Sequence, residues 1–169
     1  EKKITKWLVE KFPKVEIVAE NPEAIIALGG DGTIIEAARK YRHNNVTIIG
    51  LNLGHLGFLA TVRSPKQFLK GLEQIFSGDY EINQRMMLKV SVKRRGKEVY
   101  KGVALNDVIV QNPIGMVELD AYLHEHPFQY IRGSGVLIST ATGSTAYNLA
   151  AGGPIVMPNI RGMILTELL

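Results

Sequence analysis

The chain of 169 residues contains no cysteine, which excludes disulfide bonds, zinc–thiolate sites and catalysis by a thiol. This absence agrees with a reducing cytoplasm, where we expect the protein to work. No apolar run approaches the roughly 18 residues that a membrane-spanning helix needs, so we expect no membrane partner. Low-complexity tracts are also absent, and the apolar fraction of 46% is that of an ordinary globular protein.

Positively charged residues only slightly outnumber negatively charged ones. Twenty Lys and Arg against sixteen Asp and Glu give a net charge of +4, and the basic residues are dispersed apart from the stretch 89–101. A modest positive field suits an anionic ligand, but it is a weak argument for nucleic acid, which we do not expect as a partner.

The pattern of hydrophobicity changes near residues 79–84. Before this point, apolar runs alternate with segments of helical period, which predicts an α/β domain over 1–82 with a parallel sheet. After it, apolar and polar residues alternate, which predicts a β-rich domain over 83–169 with a hairpin turn at 95–97 (RGK). In the first domain the pattern predicts helices over 4–12, 33–41 and 65–76, strands over 24–28 and 46–51, and an extended segment over 15–19.

A glycine-dense turn at residues 29–33, with the sequence GGDGT, follows the strand predicted at 24–28. Glycine lets the oxygens of a ligand approach backbone N–H groups, and it permits φ > 0 where the chain folds back. The N-terminus of the next helix would point at the same spot, which favours phosphate binding. Asp31 is either a base that takes a proton from an attacking hydroxyl or a cap of that helix. The Lys-Ser/Thr ending of a P-loop is missing.

A second glycine loop, NLGHLGFL at residues 52–59, leaves the end of the next predicted strand. Loops at the carboxyl ends of parallel strands share one edge of the sheet, so we expect this loop to lie beside the GGDGT turn. His55 could be a ligand or a base, although a lone histidine among apolar neighbours is more often structural.

Two adjacent polar residues, Asn106 and Asp107, interrupt the apolar run at 103–110. Neighbouring residues of a strand point to opposite faces, so both can serve one site only near a strand end or a bulge. Burial of this pair costs free energy unless it is satisfied, which favours a binding role, although Asn-Asp also marks plain turns.

The segment 142–147, TGSTAY, follows a strand predicted at 135–140 and carries four hydroxyl groups. Hydroxyls and N–H groups at a helix start suit a ribose or a phosphate, and Tyr147 can pack against a base. A helix cap would explain one hydroxyl but not four. The helix is expected to continue through Ala150.

The sequence His-Glu-His at 124–126 could suggest a metal site, but it lies between two alternating segments and before a proline. A solvated hairpin turn is the favoured interpretation, because no third ligand is in view. We therefore predict no metal held by protein ligands alone.

Taken in order, these motifs resemble those of the NAD kinases. The glycine turn alone is shared with phosphofructokinases and with diacylglycerol and sphingosine kinases, whereas the TGSTAY loop is far more specific. The matching segments are 29–33, 52–59, 105–107, 132–135 (RGSG), 139–147 and 151–154 (AGGP).

The resemblance implies a Rossmann-like, phosphofructokinase-like α/β domain followed by a sandwich-like all-β domain. It implies transfer of a phosphoryl group to the 2′-hydroxyl of the adenosine ribose of NAD. The implied donor is ATP with Mg²⁺ or another divalent cation, or inorganic polyphosphate. Family members are homodimers or homotetramers, so we expect an oligomer whose substrates are NAD and ATP.

The resemblance also implies roles for individual residues. Asp31 would be the base, and Arg132 lies where the family places a contact to NAD from a neighbouring subunit. The residues implied in substrate binding are Gly30, Gly32, Thr33, Asn106, Asp107, Arg132, Ser134, Thr142, Thr145, Ala146 and Tyr147.

Two residues depart from the family pattern. Ser134 stands where the family has an aspartate, which bears on the affinity for NAD and on selection between NAD and NADH. Ala141 stands where the family has a proline, which should loosen the loop slightly.

The first residue is not Met, and the last segment is apolar, which indicates a piece of a longer protein. Two alternatives remain open: a lipid kinase of the diacylglycerol or sphingosine type, and a non-catalytic dinucleotide-binding module.

Overall fold

The computed structural model describes residues 2–43, 46–54 and 57–168. The chain forms two compact units, Glu1–Ile82 and Asn83–Leu169, and each is described by itself. Among the described residues, no helix is both long enough and apolar enough to cross a membrane.

The first unit has α/β architecture. Its only described strands, β1 and β2, run parallel, with Ala24 opposite Thr47 and Gly29 opposite Asn52. Because neighbouring strands of this kind need a crossover, α2 connects them. The elements are α1 (Lys2–Lys11), β1 (Ala24–Gly29), α2 (Asp31–Lys40), β2 (Thr47–Asn52), a 3₁₀ turn (Pro65–Gln67) and α3 (Phe68–Phe76).

Apolar side chains cover both faces of this small sheet. On one face, buried residues of β2 pack with α3, and α1 joins through partly buried side chains; the buried members are Ile49, Leu51, Val62, Phe68 and Leu72. On the other face, Ile34 of α2 packs with Ala27 and Ala60. A sheet covered on both faces has strands without polar alternation, which is the pattern that the sequence displays.

Several predicted boundaries in the first unit need correction. The helix expected over 33–41 begins at Asp31 and ends at Lys40. The segment 15–19, predicted as extended, contains no strand. The predicted helix over 65–76 divides into a 3₁₀ turn and α3, with Pro65 at the first position of the turn and Ser64 making no capping hydrogen bond.

The second unit is β-rich. Among the described residues it contains antiparallel sheets of two, three and two strands, ordered β3-β4, β5-β8-β9 and β6-β7. The elements are β3 (Leu88–Arg94), β4 (Lys97–Ala104), β5 (Asp107–Gln111), β6 (Val117–Leu123), β7 (His126–Gly133), β8 (Gly135–Thr140), a 3₁₀ turn (Thr142–Thr145), α4 (Tyr147–Ala150) and β9 (Met163–Leu168).

Two predicted hairpin turns are confirmed. Arg95 and Gly96 join β3 to β4 with φ of 51° and 77°, and His124 begins the turn between β6 and β7 with φ of 56°. In the β3–β4 turn, the positive φ at both central residues matches the twist of the flanking strands. The described residues contain no group of three or more metal-ligating side chains around these histidines or elsewhere.

Candidate active site

The GGDGT turn is the junction between β1 and α2. β1 ends at Gly29, Gly30 occupies the N-cap position, and Asp31 is the first residue of the helix. Gly30 has φ of −89°, and none of the three glycines has a positive φ. The turn therefore does not use the positive φ that glycine permits.

The Asp31 carboxylate bridges two loops. Its Oδ2 accepts a hydrogen bond from the N–H of Phe58 at 2.8 Å, and its Oδ1 accepts one from the N–H of Leu59 at 3.2 Å. No side chain caps α2, so the alternative that Asp31 is merely a helix cap is wrong. The carboxylate lies half-buried at the first position of α2.

The second glycine loop contacts this carboxylate closely. A Cβ on Gly57 would overlap the carboxylate of Asp31, so only glycine leaves room there. The beginning of the same loop is tied to the turn by the N–H of Leu53, which donates to the carbonyl of Gly29 at 3.3 Å. The prediction that the two loops share one edge of the sheet is thus confirmed. His55 lies outside the described residues.

Gly30 and Gly32 are exposed, and the packing of the described residues requires glycine at neither position. A Cβ at either position would meet no described atom within 4 Å. Among the described residues, the N–H groups of Asp31 and Gly32 have no hydrogen-bond partner, whereas the N–H of Thr33 donates to the carbonyl of Gly30 at 3.0 Å. Free N–H groups at a helix start, without Cβ atoms over them, make an accessible anion site.

Asn106 lies in the connection between β4 and β5, and Asp107 begins β5. The carbonyl of Asn106 accepts a hydrogen bond from the N–H of Thr140 at 2.8 Å. A Cβ on Gly143 would overlap the backbone of Asn106. The pair therefore lies at a strand end, as predicted, and directly against the beginning of the TGSTAY segment.

The Asp107 carboxyl is half-buried and has no hydrogen-bond partner among the described residues. Desolvation by burial raises the pKa of this carboxyl above its ordinary value of 3.8. A half-buried carboxyl without a protein partner can accept hydrogen bonds from a ligand.

The TGSTAY segment forms a 3₁₀ turn followed by the four-residue helix α4, which ends at Ala150 as predicted. Its four hydroxyls divide into two sets. Ser144 is fully buried, and Thr142 is almost so, accepting a hydrogen bond from Arg85 at 3.3 Å. Thr145 is half-buried and Tyr147 is 44% exposed, and neither hydroxyl has a partner within the described residues.

Arg132 and Ser134 lie on and beside the exposed hairpin β6-β7. Arg132 is opposite Glu118 in the register and contacts it through Nε at 3.5 Å, with both side chains largely exposed. Ser134 is exposed, and its N–H donates to the carbonyl of Leu168 at 2.6 Å. An exposed ion pair of this kind leaves the guanidinium able to exchange partners.

The predicted site residues are divided between the two units. Gly30, Asp31, Gly32 and Thr33 belong to the first unit. In the second unit, contacts join Asn106 directly to the segment 142–147, whereas Arg132 lies on the hairpin.

Sequence reasoning missed two residues that build the site, Arg85 and Asn148. Arg85 reaches Thr142 from a segment before β3. Gly57 belongs to the predicted loop at 52–59, but its contact with Asp31, 26 positions away, was not predicted. Asn148 is fully buried one position after the motif. For Asn148 a signal existed, because an amide directly before the apolar residues Leu149 and Ala150 is unusual.

In comparison with known proteins, both parts of the chain match domains of one family. Residues 2–80 match the family model of the ATP-NAD kinase N-terminal domain, and residues 105–169 match that of the ATP-NAD kinase C-terminal domain. The chain is 38% identical over 159 residues to an NAD kinase of Lachnospira eligens, covering 93% of this chain and 54% of that relative. It thus spans about half the length of the curated relatives it matches.

Two solved structures resemble this one. The yeast NADH kinase complexed with NADH has a TM-score of 0.79 at 28% identity, covering 87% of this chain and 44% of that one. An NAD kinase from Archaeoglobus fulgidus in complex with ATP has a TM-score of 0.75 at 25% identity, covering 98% of this chain and 67% of that one.

Proposed function

Since this chain belongs to the NAD kinase family, we propose that the protein is an NAD kinase, which transfers a phosphoryl group to the 2′-hydroxyl of the adenosine ribose of NAD. The observation that carries this proposal is the Asp31 carboxylate, held at the start of α2 by two backbone N–H groups. A carboxylate beside an accessible anion site is what an alcohol kinase needs.

Asp31 acts as the general base. Each carboxylate oxygen accepts one N–H and keeps a further lone pair, so the group can still receive a proton. As the 2′-oxygen forms its bond to the terminal phosphorus of the donor, its proton passes to Asp31 and the bond from phosphorus to the leaving phosphate oxygen breaks. The products are NADP and the shortened donor.

Gly30 and Gly32 serve the phosphate groups. The packing of the described residues does not require glycine at either position. We therefore propose that the missing Cβ atoms let a ligand approach the N–H groups at the start of α2. Thr33, exposed one residue later, adds a hydroxyl to the same surface. Such donors stabilise the charge that develops during phosphoryl transfer.

ATP is the proposed donor, because the Archaeoglobus fulgidus relative was solved with ATP. Inorganic polyphosphate is the second donor to be compared. Mg²⁺ or another divalent cation would neutralise the transferring phosphates, and it usually binds through one or two carboxylates and the substrate itself. The single carboxylate of the GGDGT turn fits a cation of that kind, which arrives with the nucleotide.

The second unit binds the dinucleotide. Asp107 accepts hydrogen bonds from the adenosine part, because its half-buried carboxyl has no protein partner among the described residues. The side chains of Asn106, Thr145 and Tyr147 complete this surface, with Ala146 between the last two and Thr142 supporting the turn from inside. Ser134 replaces a carboxylate with a hydroxyl, so we expect it to alter discrimination between NAD and NADH.

An oligomer is proposed because hairpin β6-β7 presents aromatic side chains to solvent. Tyr122, Phe128 and Tyr130 are each 58–60% exposed on this hairpin, which also carries Arg132. Association through the hairpin into a homodimer or homotetramer would bring Arg132 to the NAD of a neighbouring subunit. We place the reaction in the cytoplasm, and we expect the β-rich unit to complete a sandwich in the whole protein.

The test is formation of NADP by the full-length protein with NAD, Mg²⁺ and either ATP or polyphosphate. NADP that depends on one of these donors supports the proposal. Binding of NAD without any NADP, under conditions in which the Lachnospira eligens relative turns over, would favour a non-catalytic module. Phosphorylation of a diacylglycerol or sphingosine instead of NAD would favour the lipid kinase, which neither family model supports.

A further inference from the structure

Asn148 is a fully buried amide that joins three segments of the second unit. Its Nδ2 donates to the carbonyls of Ser144 at 3.1 Å and Pro154 at 2.9 Å. Its Oδ1 accepts a hydrogen bond from Thr166 of β9 at 2.7 Å. Both N–H donors of the amide are used, and its exposure is 0%. Such a side chain is satisfied only in this one arrangement.

Packing around the amide is as specific as its hydrogen bonds. A Cβ on Gly153 would overlap the amide of Asn148, so the segment after α4 lies directly on it. Ser144, whose carbonyl Asn148 holds, donates through Oγ to the carbonyl of Ala141 at 2.7 Å and accepts from the N–H of Val156 at 3.1 Å. Ser144 and Asn148 are therefore two inward anchors.

The side chains of the three residues between these two anchors point outward. Thr145, Ala146 and Tyr147 have partly or fully exposed side chains, and the two hydroxyls have no protein partner within the described residues. A segment of three residues fixed at both ends has little freedom to rearrange. Its hydroxyls and ring are thus held in place before a ligand arrives, which lowers the entropy cost of binding.

We infer that Asn148 is a positioning residue that fixes the segment 145–147 for the dinucleotide, so that its loss weakens NAD binding without affecting the phosphoryl donor. This inference rests on the proposed function. Asn148 acts through its neighbours, because it is buried and its amide is fully engaged by the protein.

Thr166 offers the mildest test. Thr166→Val removes the donor to Asn148 Oδ1 and keeps nearly the same shape, whereas Thr166→Ser keeps the hydroxyl and is the matched control. In the full-length protein, we expect Thr166→Val to raise the dissociation constant for NAD about tenfold, since a buried acceptor loses its partner. We expect an unchanged KM for ATP, a kcat within about twofold at saturating NAD, and recovery of NAD affinity in Thr166→Ser.

Asn148→Asp adds a readout that a purely structural role would not move. An ionised carboxylate would face the carbonyls of Ser144 and Pro154, whereas the protonated acid could donate to one of them. We expect the NAD affinity of this variant to increase as the pH falls from about 8 to 6, because burial raises the pKa of such a carboxyl. Wild-type affinity should not follow that profile.

Calorimetric titration of NAD into each folded variant decides the matter. Wild-type affinity in both Thr166→Val and Asn148→Asp would overturn the inference while leaving the proposed function intact. Failure of the wild type to bind NAD would overturn the proposed function itself. If Asn148→Asp does not fold, the comparison of the two Thr166 variants decides alone.

Discussion

The contact between Gly57 and Asp31 provides the sharpest perturbation of the candidate base. Gly57→Ala leaves the carboxylate chemically intact but places a Cβ within 2.9 Å of its Cγ. The carboxylate must turn away, and it then loses the N–H groups of Phe58 and Leu59. Gly57 has no positive φ, so alanine introduces this overlap without backbone strain.

The magnitude follows from those two hydrogen bonds. Hydrogen bonds to a charged group contribute about 1.5–3 kcal/mol each, and water replaces part of this for a half-buried carboxylate. We expect a loss of about 1–3 kcal/mol in the free energy of unfolding. A displacement of about 1 Å at a reacting group costs on the order of 100-fold in rate. The kcat for NADP formation should therefore fall about 100-fold, with little change in NAD affinity.

Gly54→Ala is the matched control, because its Cβ would meet only Asn52 Oδ1 at 3.8 Å in the same loop. Both variants are measured by steady-state NADP formation, by NAD titration and by thermal unfolding. A kcat for Gly57→Ala within a few-fold of that for Gly54→Ala would refute the view that the position of the Asp31 carboxylate limits the reaction.

Three further predictions concern other residues. Gly32→Ala should raise the melting temperature, since alanine stabilises a helix by about 0.5–1 kcal/mol over glycine. The same variant should have a higher KM for the phosphoryl donor. An unchanged KM for the donor would show that Gly32 is not part of the phosphate site. Asp107→Asn should increase the free energy of unfolding at neutral pH. Burial raises the pKa of Asp107, so the wild-type protein loses stability as the pH rises through the raised pKa, and the amide variant does not. The gain should vanish below the ordinary pKa of 3.8 in pH-dependent unfolding, and a constant gain at all pH values would contradict this cause. Ala141→Pro should raise the free energy of unfolding by about 0.4–1 kcal/mol. The φ of Ala141 is −57°, which suits proline, and among the described loop contacts its N–H donates no hydrogen bond that proline would remove. A lower melting temperature of this variant would show that the proline ring does not fit.

The sequence was most informative where one local pattern determined the structure. Strand β8 begins and ends where the sequence predicted, at Gly135 and Thr140. The turn at Arg95 and Gly96 was equally predictable, because few residues tolerate its positive φ. The start of α2 was missed, since two glycines lower helix propensity there and the apolar period begins only after Thr33.

The proximity of the two glycine loops was predicted, but the individual hydrogen bonds between them could not be. Asp31 and Phe58 are 27 positions apart, and nothing local to either residue indicates the hydrogen bond that joins them. The division of hydroxyls in the segment 142–147 was equally hidden, because a 3₁₀ turn changes which side chains point inward. The role of Asp31 nevertheless followed from its motif, as the resemblance implied, and it remains a prediction.

The most direct measurement is turnover and NAD affinity on one preparation of the full-length Asp31→Asn variant. The amide cannot accept a proton from the 2′-hydroxyl, so we predict a kcat for NADP formation lower by about 100-fold or more, with NAD affinity within a few-fold of the wild type. Near-normal turnover in a variant that binds NAD normally would contradict the assignment of Asp31 as the base, and with it the mechanism proposed here.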